Sequence, residues 1–356
     1  MNHNEQVWLL LDSRSYGGIE THVLQLAKSL IKHHIKVEVI FIAGYGTHPM
    51  CEIFQREHIN YRVLSHGLYS LLSIMYQERP RIVHTHGYKA GIYARLARLL
   101  TQTTIVSTFH AGEIVSGKLG FYDAIDRISA CLSHALIAVS APINARIKNQ
   151  ATIVNNFVAI ERQGFPGNNI AFVGRLSHEK GPDTFIKLAP FFPHQVFHIY
   201  GDGPMLEELK DIASDNVRFH GHQDSMDSHW HKIGLLIMPS RQEGLPMAAL
   251  EAMAHGIPVC AYNVGALSKL IDRSNGWLIR LGDFKSLRFG IRQWLSSSIK
   301  LNFNRSRLAR KSVIKGFSDV AAMPMIINCY NKAMVNNHCA HQQIQPKLVE
   351  HSHDAH

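Results

Sequence analysis

Short runs of β-branched and aromatic residues alternate with longer amphipathic segments along nearly the whole chain, and this alternation leaves few folds open. In the first half "QVWLLL", "KVEVIFI", "YRVL", "RIVHT", "TIVSTF" and "HALIAVS" read as strands. Between them, "GGIETHVLQLAKSLIKHH", "GLYSLLSIMYQE", "GYKAGIYARLARLL" and "LGFYDAIDRISACLS" repeat apolar residues at helical spacing. A strand followed by a helix and another strand buries both sheet faces under helices, so the pattern predicts a parallel α/β sheet. A looser stretch rich in Gly, Pro and Asn, "NNFVAIERQGFPGNN" (Asn155 to Asn169), interrupts it and reads as an interdomain linker. Alternation resumes with "IAFVG", "QVFHIYG", "NVRFHG", "IGLLIMPS", "IPVCAY" and "GWLIR". Two doubly wound domains of similar size are expected. Ligands of such sheets bind beyond the carboxyl ends of the strands, so the two edges are expected to face each other across a cleft.

At 356 residues, with 46% hydrophobic and 18% charged residues, the chain can form two full cores and is not of disordered composition. Its five cysteines (Cys51, Cys131, Cys260, Cys329, Cys339) are scattered without CxxC spacing. Neither a disulfide framework nor a zinc site is indicated, and a reducing cytoplasm is the expectation. The first residues hold too short an apolar run for a signal peptide, and no run reaches membrane-spanning length. The net charge of +10 is shared evenly between the halves. In the second half its surplus sits in "FKSLRFGIRQWLSSSIKLNFNRSRLARKSVIK". That segment reads either as a solvated helical face or as a surface drawn to an anionic membrane or polyanionic substrate. Nucleic acid is not expected, because no recognition fold accompanies the charge.

The glycines decide which ligand chemistry suits the strand ends. A dinucleotide site needs GxGxxG after the first strand and an acid after the second. Here the first strand leads into "DSRSYGGIE", and the second ends in "FIAGYG" with no acid. "YGDGPML" lacks the third glycine, and GxxxxGK[ST] occurs nowhere, which excludes a P-loop. What remains is a set of glycine turns opening helices: Gly17 and Gly18 first, then Gly174 before Arg175 and Lys180, then Gly244. Backbone N–H groups at such turns bind anions, and glycine lets a phosphate come close. Pro246 is expected at the first helical position, which needs no N–H. Arg175 and Lys180 in "VGRLSHEKG" follow a strand directly. Two cations there suit a departing diphosphate, whose charge grows as its bond breaks; surface cations paired with acids such as Glu179 are the alternative.

"SRQEGLPMAALEAMAHGIPV" (Ser240 to Val259) adds two carboxylates, Glu243 and Glu251, in an otherwise almost uncharged stretch. With "YGGIETHVLQLAKSL", "VHTHGYKAGIYARLA", "STFHAGE", "IAVSA", "VGRLSHEKG" and "YGDGPMLEEL", this block falls in the order and spacing of the family 4 glycosyltransferases. The chain resembles that family from about Val7 to Met334, and the E-G-L-P-(x4)-E block is its most specific part. The resemblance implies a GT-B fold of two Rossmann-like domains and a retaining transfer from a nucleotide-sugar. It implies that Glu243 holds hydroxyls of the transferred sugar and that Glu251 holds the ribose. The N–H groups of Gly244 and Leu245 would meet the diphosphate between them. Glu251 lies about five residues into its helix, roughly 7–8 Å along the axis, a reach that suits one nucleotide-sugar. A glycosidase pair would instead flank one glycosidic bond.

By the same resemblance Arg175 and Lys180 stabilise the leaving diphosphate, Gly17 and Gly18 admit phosphate and acceptor, and His110 stands near the anomeric carbon. Read alone, His110 is a histidine at a strand end; its place in "STFHAGE" gives it the other role. No side chain is assigned as nucleophile. Neither cofactor nor metal is expected: His84, His86, His222, His229, His231 and the tail "EHSHDAH" invite a metal reading, but GT-B enzymes neutralise the diphosphate with side chains and helix ends. Relatives often carry Pro-Asn-Gly where this chain has "VNNFV" (Val154 to Val158), which bears on the linker and not on the donor residues.

The expected layout is an acceptor-side domain at 1–158, a linker at 159–168 and a nucleotide-sugar domain at 169–318. A helix at 319–336 crosses back to the first domain, and a disordered His-rich tail fills 337–356. The expected partners are a nucleotide-sugar, UDP-sugar first with GDP open, and a glycan or lipid-linked acceptor in bacterial surface polysaccharide or glycolipid synthesis. The expected location is the cytoplasm, with the inner face of the membrane as a peripheral site. Two other functions fit the same fold: a nucleotide-sugar epimerase, which needs its own acid and base, and a catalytically dead sugar-nucleotide binder.

Overall fold

Val7 through Leu11 are completely buried. A strand with no exposed side chain must be covered on both faces and flanked on both edges, which is the position β1 (Gln6–Leu11) takes. The computed structural model describes residues 6–14, 17–46, 48–110, 117–147, 150–160, 166–223 and 225–342. They divide into two compact units, one reaching Val154 and resuming at Met323, the other Asn155–Ala322.

In the first unit β1 is joined by β2 (Lys36–Phe41), β3 (Asn60–Val63), β4 (Ile82–His86), β5 (Thr104–Phe109), β6 (Ala135–Ala138) and the short β7 (Thr152–Ile153). All pairings are parallel and the order is β3-β2-β1-β4-β5-β6-β7. The chain therefore leaves β1 in one direction and later restarts from its other side, which makes the β1/β4 boundary the switch point. Four of the helices lie where the periodicity places them: Gly18–Lys32, Gly67–Glu78, Tyr88–Arg98 and Gly117–Ile128. Pro49–Arg56 is a further helix, started by Pro49 and by His48, whose ring accepts from the Met50 N–H. A buried ion pair, Arg95 to Asp126 at 2.8 Å, ties Tyr88–Arg98 to Gly117–Ile128. Gly91 leaves it room, because a Cβ there would stand 2.5 Å from Asp126 Oδ1.

The second unit repeats the plan with β8 (Asn169–Val173), β9 (Phe197–Tyr200), β10 (Val217–Phe219), β11 (Ile233–Met238), β12 (Val259–Tyr262) and β13 (Gly276–Ile279). Its order is β10-β9-β8-β11-β12-β13, again all parallel, with the switch between β8 and β11. One core cluster gathers Met247, Leu250 and Met253 with Ile257 and Val313. The other gathers Phe172, Phe185 and Phe197 with Leu287 and Trp294.

The basic segment forms two helices, Phe284–Ser296 and Ile299–Gly316. Part of its charge is used internally: Arg288 lies 4.5 Å over the Phe191 ring, Arg305 lies 4.2 Å over Trp277, and Arg310 donates to the Ala254 carbonyl.

The last helix, Asp319–Gln342, carries the chain from the second unit into the first. It continues past 336, where the sequence reading ended it. Asn336 donates to the His134 carbonyl, and Asn337 donates to the Gln102 carbonyl and Thr104 Oγ1. These long-range anchors are invisible to local periodicity. Residues 343–356, with most of the expected tail, lie outside the described residues. Cys51, Cys131, Cys260 and Cys329 are free thiols.

Candidate active site

In the second unit the two loops leaving the switch-point strands come together. After β8 the chain runs Gly174, Arg175, Leu176 and Ser177, then forms one tight turn at His178–Lys180 before the helix Pro182–Leu188. After β11 it runs from Pro239 to Pro246 before the helix Met247–Ala254. Gly181, at φ +68, packs against the Pro239 carbonyl so closely that a Cβ would overlap it. Four bonds to backbone carbonyls fasten the turn to the second loop: Arg241 N–H to the Glu179 carbonyl at 2.7 Å, Gln242 N–H to the same carbonyl at 3.3 Å, Arg241 Nη1 to the His178 carbonyl at 2.7 Å, and Ser240 Oγ to the Lys180 carbonyl at 3.4 Å. Arg241 also grips Asp183 with both terminal nitrogens, at 2.9 and 2.8 Å.

This framework sets Lys180 Nζ against both carboxylate oxygens of Glu243, each at 2.8 Å. The Glu243 side chain is 5% exposed and that of Lys180 31%. Both residues are therefore fixed at the edge of the sheet, and each Glu243 oxygen retains lone-pair capacity for a further donor. Gly265, at φ +60, supports the Glu243–Gly244 backbone, and Ala266 donates to the Gly244 carbonyl at 2.8 Å. Asn156 donates to the Leu245 carbonyl at 3.2 Å. Those carbonyls are thus engaged, while the N–H groups of Gly244 and Leu245 make no hydrogen bond among the described residues. Arg175 is exposed, and its guanidinium likewise makes none there. Unbonded N–H donors and an exposed cation in the loops that hold a fixed ion pair suit a diphosphate.

Pro246 is not the first helical residue, as its sequence position had suggested. With ψ 130 it is the extended N-cap, and Met247 opens the helix. The free N–H groups of Gly244 and Leu245 consequently belong to the turn before the helix. Glu251 is the fifth residue of that helix, half-buried, with no protein partner for its carboxyl among the described residues. Burial pushes its pKa up to about 8, and the nearby charge of Asp227 adds to the shift.

That shift carries a stability prediction. The folded protein keeps a proton on Glu251 that the unfolded chain releases near its ordinary 4.5, so the folded pKa is the higher one. Stability from this group is complete below about 4.5 and is lost as pH rises toward about 8. Glu251→Gln is expected to remove the loss, so its Tm should decline less than that of the wild type between pH 5 and pH 8. Parallel Tm curves for the two proteins would show that the carboxyl is not desolvated.

In the first unit the corresponding edge is lined by histidines. Gly17 caps the helix Gly18–Lys32 in an extended conformation, its carbonyl accepting from both the N–H and the hydroxyl of Thr21 at 3.0 Å. Space beside Gly18 is open. His84 and His86 on β4 are both buried. His84 is held by Tyr330 Oη at 2.8 Å and Thr108 Oγ1 at 2.7 Å. His86 Nδ1 meets His110 Nε2 at 3.0 Å, and the His22 ring stands edge-on to His110 with centroids 4.8 Å apart. Burial lowers the pKa of His84 to about 3 and holds His86 and His110 well below the usual histidine range, so these rings are neutral at pH 7.

The structure thus joins Lys180 with Glu243, sets Arg175 and Gly244 in the loops beside them, and places Gly17, Gly18 and His110 at the sheet edge of the other unit. Of the histidines open to a metal reading, His84 and His86 lie side by side at 4.4 Å between ring centroids, and His86 also meets His110, which the resemblance had placed at the sugar; His229 instead packs on Tyr200, at 5.1 Å between centroids. Sequence reasoning passed over His22 and Tyr330. His22 carried a signal, since it follows the Gly17–Gly18 opening by about one helical turn and so faces the same sheet edge. Tyr330 lies 246 positions from its partner His84 and carried none.

Two parallel α/β sheets, one with the Lys180–Glu243 pair and the other with the histidines beyond the strand ends at its switch point, have the architecture of the GT-B fold. Residues 16–162 match the family described as Glycosyltransferase Family 4, and residues 167–297 match Glycosyl transferases group 1. The chain belongs to the family 4 glycosyltransferases. It is 28% identical over 297 residues to the Escherichia coli O-antigen biosynthesis glycosyltransferase WbnH, covering 77% of this chain and 86% of that one. It is 26% identical over 311 residues to the E. coli UDP-Gal:alpha-D-GlcNAc-diphosphoundecaprenol alpha-1,3-galactosyltransferase, covering 76% and 80%. Among solved structures, Anabaena HepE in complex with UDP superposes with a TM-score of 0.76 at 18% identity, over 91% of this chain and 98% of HepE. A variant of S. aureus TarM reaches 0.77 at 12% identity, over 92% and 100%.

Proposed function

We propose that this chain is a retaining glycosyltransferase that transfers a hexose-type sugar from a nucleoside-diphosphate sugar, a UDP-sugar first, to a lipid-linked or glycan acceptor of a bacterial surface polysaccharide. The observation that carries the reading is the Lys180–Glu243 pair in the same loops as the N–H groups of Gly244 and Leu245, which make no hydrogen bond among the described residues, and the exposed Arg175. The relatives' names support the acceptor class, since one is an O-antigen enzyme and another acts on a diphosphoundecaprenol-linked sugar.

In the proposed reaction the acceptor oxygen bonds to the anomeric carbon on the face from which the phosphate oxygen departs. The acceptor's proton passes to a phosphate oxygen of the leaving diphosphate, so no side chain becomes covalently attached. Lys180 and Arg175 stabilise the charge that grows on the diphosphate, together with the N–H groups of Gly244 and Leu245. Glu243 orients sugar hydroxyls, Glu251 holds the ribose, and Gly17 and Gly18 admit the donor's phosphate and the acceptor. Neutral His110 can accept or donate a hydrogen bond at the sugar. The test is incubation with a panel of nucleotide-sugars and lipid-linked acceptors, with the product's anomeric configuration read by NMR. An inverted product defeats the retaining mechanism, and a new sugar isomer without transfer supports an epimerase instead.

Lys180, Arg175 and backbone donors supply the charge that a metal would otherwise bring. Turnover is therefore expected to persist in excess EDTA. Complete loss, restored by Mg²⁺ or Mn²⁺, would overturn this part of the reading.

No helix among the described residues is long and apolar enough to cross a membrane. A lipid-linked acceptor nevertheless requires access to the bilayer surface. Ile299, Leu301 and Phe303 are exposed beside Lys300 and Arg307, a combination suited to anionic lipid. Cosedimentation with vesicles containing phosphatidylglycerol is expected at low salt and should weaken when Lys300 and Arg307 are both changed to Gln. Equal binding to neutral vesicles would remove the electrostatic argument.

A further inference from the structure

We propose that His22, His86 and His110 form a site for one divalent transition-metal ion of the Zn²⁺, Co²⁺ or Ni²⁺ kind, and that occupying it switches the enzyme off. The inhibition rests on the reading of His110 given above; the metal binding does not. One nitrogen from each of the three rings lies within 4.8 Å of the others. They converge because three neighbouring segments of the first sheet deliver them: His22 from the helix that follows β1, His86 from the last position of β4, and His110 from the residue after β5.

The donor set selects the ion. Three imidazoles with no carboxylate among them suit Zn²⁺, Co²⁺, Ni²⁺ and Cu²⁺, whereas Mg²⁺ and Ca²⁺ require oxygen ligands. Two of the rings are held rigidly, with His22 3% and His86 1% exposed, while His110 is only partly buried and leaves a side for entry and for a water as fourth ligand. His86 Nε2 is buried with no hydrogen-bond partner among the described residues, a costly state that a bound ion or its water would relieve. Ligands of a tetrahedral ion with bonds of ~2.0–2.1 Å stand ~3.4 Å apart. The rings therefore need to close by ~1.4 Å at most. His84 is not a ligand, because Tyr330 and Thr108 engage both its nitrogens; it packs beside His86 at 4.4 Å between centroids.

Neutral rings bind without losing a proton to solvent: where a ring nitrogen now shares a proton, as between His86 and His110, that proton moves to the ring's other nitrogen. The bound ion then holds the His110 ring in place of the sugar. Zinc inhibits, and EDTA protects.

Titration of the full chain with Co²⁺, followed by visible absorption, tests the site, since four-coordinate cobalt absorbs strongly and cobalt on scattered surface ligands does not. One equivalent should develop the band in the wild type and in a chain carrying His351→Gln, His353→Gln and His356→Gln, which removes the terminal histidines as alternative ligands. Excess Zn²⁺ should bleach the band and Mg²⁺ should not. The band should vanish in His22→Gln at unchanged Tm; should that variant fail to fold, His110→Gln, at the least buried ligand, serves in its place. No band in the wild type, or an undiminished band in both variants, overturns the site. A band accompanied by undiminished transfer in Zn²⁺ overturns the switch and the placement of His110 at the sugar, and leaves the metal site standing.

Discussion

Lys180→Ala is expected to lower kcat by roughly 10²–10³, the effect of losing one preorganised donor to a developing charge, with a smaller loss in donor binding. The structure adds a consequence for stability. Lys180 holds both oxygens of a Glu243 carboxylate that is 5% exposed, so removing the lysine strands a buried charge. A fall in kcat could then come from a disturbed loop. The double variant Lys180→Ala/Glu243→Gln, compared with Glu243→Gln alone, separates the two causes, because both lack the stranded charge and the sugar carboxylate and only the double variant leaves the leaving group without its cation. Its Tm should recover toward the wild type while its kcat stays below that of Glu243→Gln. Single-turnover kinetics and thermal unfolding on the wild type and these three variants decide the matter. Recovery of kcat to the Glu243→Gln level together with Tm would reduce Lys180 to a structural partner of Glu243, and a Lys180→Ala enzyme within a few-fold of wild type would end the phosphate role altogether.

The two glutamates are expected to divide ligand recognition between them. Glu251→Ala removes the carboxyl assigned to the ribose, and two hydrogen bonds at about 0.5–1.5 kcal/mol each weaken affinity for free nucleoside diphosphate by about 5- to 150-fold. The raised pKa makes this a largely protonated acid near pH 7, able to donate to one ribose hydroxyl and accept from the other. Glu243→Ala should instead leave diphosphate affinity at the wild-type level or raise it. That ligand has no sugar to contact, and Lys180, released from its carboxylate, gains freedom to meet the phosphates. Transfer by Glu243→Ala should fail. Calorimetry with the diphosphate and with the intact nucleotide-sugar on both variants distinguishes the roles. Equal losses of diphosphate affinity would show the carboxylates acting as one structural unit.

Much of this architecture was legible in the sequence because the signals involved are local. A buried strand leaves a short apolar run and a helix a period of 3.6 residues within any stretch of a dozen, and β1, β4, β8 and β11 are all read as such runs. The E-G-L-P-(x4)-E block likewise fixes how far Glu251 stands along its helix from the turn at Gly244, since helical rise is constant. The order of strands is a different matter. Each parallel neighbour is reached by a crossover, and nothing local states that β8 pairs with β11 instead of with β10. That adjacency brings the turn ending at Lys180 against the loop carrying Glu243, 63 positions on, through a contact at Gly181 that tolerates no Cβ. Sequence placed both residues on one sheet edge; only the tertiary structure bonded them to each other. The same holds for His22, His86 and His110, which three separate segments bring within ligand distance, and for the last helix, prolonged by Asn336 and Asn337 reaching the opposite part of the chain. Local periodicity determined the elements and the candidate residues, because it depends on neighbours a few positions away. Which of those residues meet was decided by packing between elements far apart in the chain, where burial and hydrogen bonding act without regard to sequence distance.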